Sequence, residues 1–183
     1  MSVSQRYISE LEQISKEVKS SFSSLSKEVL YQKPDPKKWS IAENLEHIIV
    51  LNSSYFPIFQ RLKNGNLNNA FVSKISFFSR VIGDMIFKSV SDGGKRKVKT
   101  FPLWEPQLNS EKESEILEKF SQHQIELAEW IKELNPFIEK KTIIHSPANK
   151  LIVYALDKAF EIIIAHEKRH LDQAKNVLIQ IQN

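Results

Sequence analysis

Apolar residues recur every three or four positions along four long segments of this chain, a period that an α-helix turns into one continuous face. In the first segment Ile8, Leu11, Ile14, Val18, Phe22 and Leu25 form the stripe, with Lys16, Glu17 and Lys19 opposite. A serine-rich stretch from Ser20 to Ser26 and the run Lys33-Pro34-Asp35-Pro36-Lys37-Lys38 close it, the prolines holding the connection extended. The second segment opens on a capping box, Ser40 with Glu43, and carries Ile41, Leu45, Ile48, Asn52, Tyr55, Phe59 and Leu62 on one face. Pro57 predicts a bend in it, and Asn64-Gly65 an end.

The third segment starts at a second capping box, Ser110 with Glu113, and runs through Leu117, Phe120, Gln124, Leu127, Ile131 and Leu134 to a stop at Asn135-Pro136. The fourth follows the turn His145-Ser146-Pro147 and extends from about Leu151 to Ile181. Residues 66–108, between the second and third, are too many for a simple turn. Phe71, Ile75, Phe78, Ile82 and Met85 predict an extra amphipathic helix there, followed by the basic loop Gly93-Gly94-Lys95-Arg96-Lys97 and an extended Thr100–Pro106. The expectation is a single domain, residues 1–183, folded as an all-α four-helix bundle of up-down-down-up order, with a long, partly helical crossover between helices 2 and 3.

Composition narrows the chemistry. Only 4 glycines and 7 prolines in 183 residues disfavour a turn-rich sandwich or barrel. The absence of cysteine excludes a disulfide scaffold, a thiolate metal site, an iron–sulfur cluster and a cysteine nucleophile. Against 22 Asp and Glu, 26 Lys and Arg leave a formal net charge of +4, too little to argue for nucleic acid. No run is long and apolar enough for a membrane span, and the N-terminal MSVSQRYISELEQ carries no signal-peptide core, so a cytoplasmic protein without a membrane partner is expected.

His166-Glu167-Lys168-Arg169-His170 is the most informative stretch. Residues i and i+4 lie about 40° apart around a helix, so both imidazoles can approach one ion. The stripe Ile152, Leu156, Ala159, Ile163, His166, His170, Ala174, Val177, Ile181 sets both histidines where aliphatic side chains otherwise stand. Two inward imidazoles leave ring nitrogens unsatisfied unless something binds them, and a divalent metal does so. The zinc-protease pattern H-E-x-x-H also matches, but it needs a downstream ligand, and only Asp172 follows His170 as an acid. A third ligand must come from upstream, where His47, His123 and His145 are available. His47 ranks first, because it lies at the edge of the apolar face of the second segment, as a ligand at a pocket mouth would.

Trp39-Ser40-Ile41-Ala42-Glu43-Asn44-Leu45-Glu46-His47 resembles the W-S-x-x-E-x-L-x-H segment of the DinB-like (YfiT-like) superfamily. His166-Glu167-Lys168-Arg169-His170-Leu171-Asp172-Gln173-Ala174 resembles its C-terminal H-x-x-x-H segment. The resemblance implies a four-helix bundle in which His47, His166 and His170 bind a divalent metal ion, often nickel or zinc. Some members of that family transfer bacillithiol or mycothiol, one is a mycothiol-dependent maleylpyruvate isomerase, and others are described as metal-dependent hydrolases.

Around such a site Glu167 has two readings, one half of an interhelical ion pair or an acid–base group of raised pKa; in a catalytic site it is the base. Gln173 is read as an imidazole partner or a surface residue, and Glu43 as part of its capping box. Trp39 and Trp104 are expected to close a hydrophobic core, with a substrate wall as the alternative. His123 and His145 have no partner at ligand spacing and read as ordinary polar residues. Lys95, Arg96, Lys97 and Lys99 read as a solvated loop, so nucleic acid is not expected as a partner. The functional expectation is metal-dependent transfer of a small thiol to an electrophile, with a small-molecule substrate. The alternatives are a metal-dependent hydrolase and a non-catalytic metal- or ligand-binding bundle, including a homodimeric module.

Overall fold

The structure, a computed structural model, describes residues 2–67, 76–91, 100–106 and 115–182. The described residues are mostly helical, with one two-stranded sheet. Helix α1 spans Val3–Phe22, α2 Lys27–Tyr31, α3 Ile41–Ser53, α4 Phe56–Lys63 and α5 Ser76–Val90. After a 3-10 turn, Pro102–Trp104, come α6 Ile116–Glu133 and α7 Asn135–Glu139, strands β1 Ile143–His145 and β2 Val153–Ala155, and α8 Leu156–Gln182. None of these helices is long and apolar enough to cross a membrane.

Helix starts follow local chemistry. Ser2 and Gln5 form a capping box on α1, and Ser26 caps the short α2 inside the stretch expected to be connection only. The Ser40–Glu43 box at α3 is present in both directions, and the Glu43 carboxylate also pairs with Lys33 at 2.7 Å. Ser110 and Glu113, the expected box on the third segment, lie outside the described residues. So do Phe71, Ile75 and the basic loop, and so do the side chains of Phe78 and Ile82.

Three departures from the periodic reading have local causes. The second segment breaks in two instead of bending: α3 closes at Ser54, and Pro57, which cannot donate to the ladder, sits in the first turn of α4. The fourth helix begins at Leu156, because 153–155 pair as β2 with β1 in register Ile143↔Ala155 and His145↔Val153. Ile152 therefore precedes the helix, and three-residue strands are too short to show a period. On α5, Met85 is exposed; Ile86 packs toward the core, and Gly83 faces α8, where an added Cβ would meet Lys158 Cγ at 2.8 Å.

Helix α3 packs against α8 and α6, and α1 packs against the same two. Their stripes merge into one core containing Tyr7, Leu11, Phe22, Leu45, Ile48, Phe120, Leu127, Phe160 and Ile163. Helix α5 lies on α8 and β2, and the Pro102–Trp104 turn rests on α3. The α3–α8 seam, with that turn beside it, holds the site.

Candidate metal centre

The α3–α8 contact brings His47 onto His166 and His170. One ring nitrogen from each lies within 4.8 Å of the others, and all three residues are buried, at 3–7% exposure. His47 is thus a core residue, not the edge residue its position on the apolar face predicts. Its Nε2 stands 3.2 Å from His166 Nε2. Two nitrogens bonded to one tetrahedral zinc at 2.0–2.1 Å stand about 3.3 Å apart, so this edge has the length a shared cation requires.

Partners outside the cluster fix two of the three rings. The Trp104 carbonyl can only accept, so His47 Nδ1 carries the hydrogen and its Nε2 is a bare lone pair. Asn44 donates through Nδ2 to the Ser40 carbonyl at 2.8 Å, which turns its Oδ1 toward His170 Nδ1 at 3.1 Å. His170 therefore donates through Nδ1, and its Nε2 is bare as well. Such outer bonds orient metal-binding histidines. His166 Nδ1 is buried and has no hydrogen-bond partner among the described residues. With His47 Nε2 bare, His166 Nε2 either donates to it or shares a cation with it.

Electrostatics keep these rings neutral. Burial lowers the basicity of all three, and for His166 and His170 the neighbouring imidazoles and the Arg169 guanidinium lower it further. Three neutral nitrogen donors, two with enforced lone pairs and a third within ligand-edge distance, fit a divalent metal ion. Trp39 covers the cluster, its ring centroid 4.8 Å from that of His47 and 5.8 Å from that of His170.

Glu167 is not solvent-facing and has no ion-pair partner among the described residues, contrary to the interhelical salt bridge expected of it. It is fully buried, and its oxygens accept from Asn52 Nδ2 at 2.6 Å and Gln124 Nε2 at 2.8 Å. Burial pushes its pKa up to about 7, against the pull of the two amides. In the sequence Asn52 and Gln124 read as members of apolar stripes. A lone amide in an apolar stripe on each of two helices was the signal that something polar had to meet them.

Asn44 takes the partner role that the sequence suggested for Gln173. His123 lies elsewhere, buried, stacked on Phe56 at 5.5 Å and pushed down to a pKa of about 4. His145 sits at the end of β1, with Nδ1 within 3.1 Å of the Ser146 carbonyl oxygen. Neither histidine joins the cluster.

No curated protein and no solved structure matches the chain. A family model does match, over residues 10–174, a span that contains every residue of the histidine cluster and its partners, and the chain belongs to the DinB superfamily.

Proposed function

We propose that this protein is one domain, residues 1–183, built on a four-helix bundle of up-down-down-up order from α1, α3, α6 and α8. We propose further that it is a metal-dependent enzyme transferring a small thiol to an electrophile. The pairwise packing of α1 and α3 on both α6 and α8 supports the bundle. The observation that carries the function is the convergence of His47, His166 and His170 at ligand spacing. These three would hold the ion, nickel or zinc by donor type. Structural zinc sites close with four protein ligands, whereas three leave positions for substrate.

When bound there, a divalent ion with three neutral ligands keeps its +2 charge and favours thiolate over thiol. The protein's own groups supply the rest. Trp39 and the Pro102–Trp104 turn shield the histidines from bulk water. Glu167, with a pKa of about 7, can hold the thiol proton at neutral pH, steadied by the Asn52 and Gln124 amides.

The test incubates metal-loaded protein with bacillithiol, mycothiol, glutathione or coenzyme A and monochlorobimane. The expected result is conjugation faster than with free metal for at least one thiol, lost on chelation. No acceleration with any thiol removes thiol transfer and leaves hydrolysis or a non-catalytic metal site.

A further inference from the structure

We propose that the Pro102–Trp104 turn is a strap that sets the tautomer of His47, so that its docking on α3 and metal binding at the histidine cluster are thermodynamically linked. The inference deepens the metal reading and rests on it.

Two bonds tie this turn to α3, one in the middle of the helix and one at its C-cap. The Trp104 main-chain carbonyl accepts from His47 Nδ1, and its indole Nε1 donates to Ser54 Oγ at 3.1 Å. Ser54 is the C-cap of α3 and its hydroxyl donates to the Leu51 carbonyl, so it offers a lone pair at a fixed place. Phe101 adds an edge-on contact to the Trp104 ring at 5.4 Å while remaining largely exposed. The indole bond is thus the lock, and the carbonyl is what the lock positions.

Chemistry supplies the linkage. A neutral imidazole has one N–H, and the side that carries it cannot bind a metal. With the turn docked, the hydrogen sits on Nδ1 and the Nε2 lone pair faces His166 and His170. With the turn undocked, nothing holds the hydrogen on Nδ1, and an Nε2–H tautomer points a hydrogen into the cluster. His170 has no such dependence, because its partner Asn44 lies on α3 itself and is braced by Ser40. One ligand is therefore oriented from within the α3–α8 seam and another from the crossover. If docking strengthens metal binding by some factor, metal binding strengthens docking by the same factor.

The experiment measures zinc affinity by competition with a chromophoric chelator in the wild-type chain, Ser54→Ala, Trp104→Phe and the double variant. Hydrogen exchange across residues 100–106 is followed with and without zinc. Both single changes remove the same indole–hydroxyl bond, so each should weaken zinc roughly tenfold, the low end of outer-partner effects. The double variant should be no weaker than either single, the non-additivity of a shared contact. Zinc should slow exchange across 100–106 in the wild-type chain and do so less in the variants. A purely structural role for Trp104 would lower the thermal midpoint of the metal-free protein and leave zinc affinity within twofold of wild type. That outcome overturns the proposal, as does exchange in 100–106 that zinc leaves unchanged. A wild-type chain that binds neither zinc nor nickel overturns this inference and the metal reading together, whereas tight wild-type binding with unaffected variants removes only the strap.

Discussion

Two buried histidine regions flank helix α3. On the side facing α8, His47, His166 and His170 are 3–7% exposed; on the side facing α6, His123 is 5% exposed and stacks on Phe56. By burial the two are indistinguishable, and burial suppresses protonation in both. They differ in what surrounds the nitrogens. In the seam, a carbonyl and an amide fix the Nδ1 hydrogens of His47 and His170 and leave their lone pairs converging on the cluster, whereas His123 Nε2 has no hydrogen-bond partner among the described residues and no second imidazole at ligand distance. Burial alone is therefore no mark of a ligand. Enforced and convergent lone pairs are.

The comparison breaks most sharply on metal content. Protein loaded with nickel or zinc should hold about one ion per chain. His47→Ala, His166→Ala and His170→Ala should each lose it, and His123→Ala and His145→Ala should keep it; equal retention in all five, read by elemental analysis after desalting, abolishes the distinction. Next in size is turnover. Glu167→Gln should slow metal-dependent conjugation by roughly 100-fold or more with metal content unchanged.

Thermal stability gives a third measure. Zinc at 100 times its dissociation constant should add about 2.7 kcal/mol, a rise in midpoint on the order of 5–10 °C for a chain of this size. Scanning calorimetry should find that rise in the wild-type chain and in His123→Ala, and not in His166→Ala.

Acid separates the regions less and adds them together. In the metal-free protein His47, His123, His166 and His170 all have basicity lowered by folding from the ordinary imidazole value of about 6.5. The unfolded chain then binds more protons, and stability falls as pH drops below about 6.5. For His123 the loss continues down to about 4. Glu167 acts oppositely: raised from 4.5 to about 7, its contribution is present below 4.5 and fades as pH rises toward 7. With four groups against one, the urea midpoint should fall between pH 7 and pH 5. A rising midpoint would mean that the imidazoles are not held neutral. The smallest effect expected is that of His123→Phe, which removes an unpartnered nitrogen from an aromatic stack and should leave the urea midpoint unchanged or slightly raised.

The histidine pair on α8 was legible because an i, i+4 spacing inside an apolar stripe places two side chains without any tertiary knowledge. His47 came from a local motif, and the Ser40–Glu43 box that starts α3 is a local bond as well. What the sequence hid was set by contacts distant along the chain. The Trp104 carbonyl has no side-chain identity to read, and Asn44 looks like any helix residue until α8 lies against it. The β1–β2 hairpin escaped for another reason, since Val153-Tyr154-Ala155 continues the apolar character of the helix it precedes. Glu167 is legible as a residue of the site, but its surroundings are not, because its partners are amides and carry no complementary charge that the sequence displays.

The amide-held carboxylate has a consequence for how this sequence can drift. Asn52, Gln124 and Glu167 come from three helices and meet in a place closed to water, where both amides donate to the carboxylate while Asn52 Oδ1 and Gln124 Oε1 have no hydrogen-bond partner among the described residues. Replacing any one of them by an aliphatic residue strands polar atoms, at about 1–3 kcal/mol each, whereas replacing all three together restores an ordinary oily interior. The trio therefore behaves as a single inherited character. For folding, it is a burden that a lineage can shed only in one concerted change, and a descendant that has shed it while keeping the histidines would be a natural experiment on whether the chemistry needs the carboxylate.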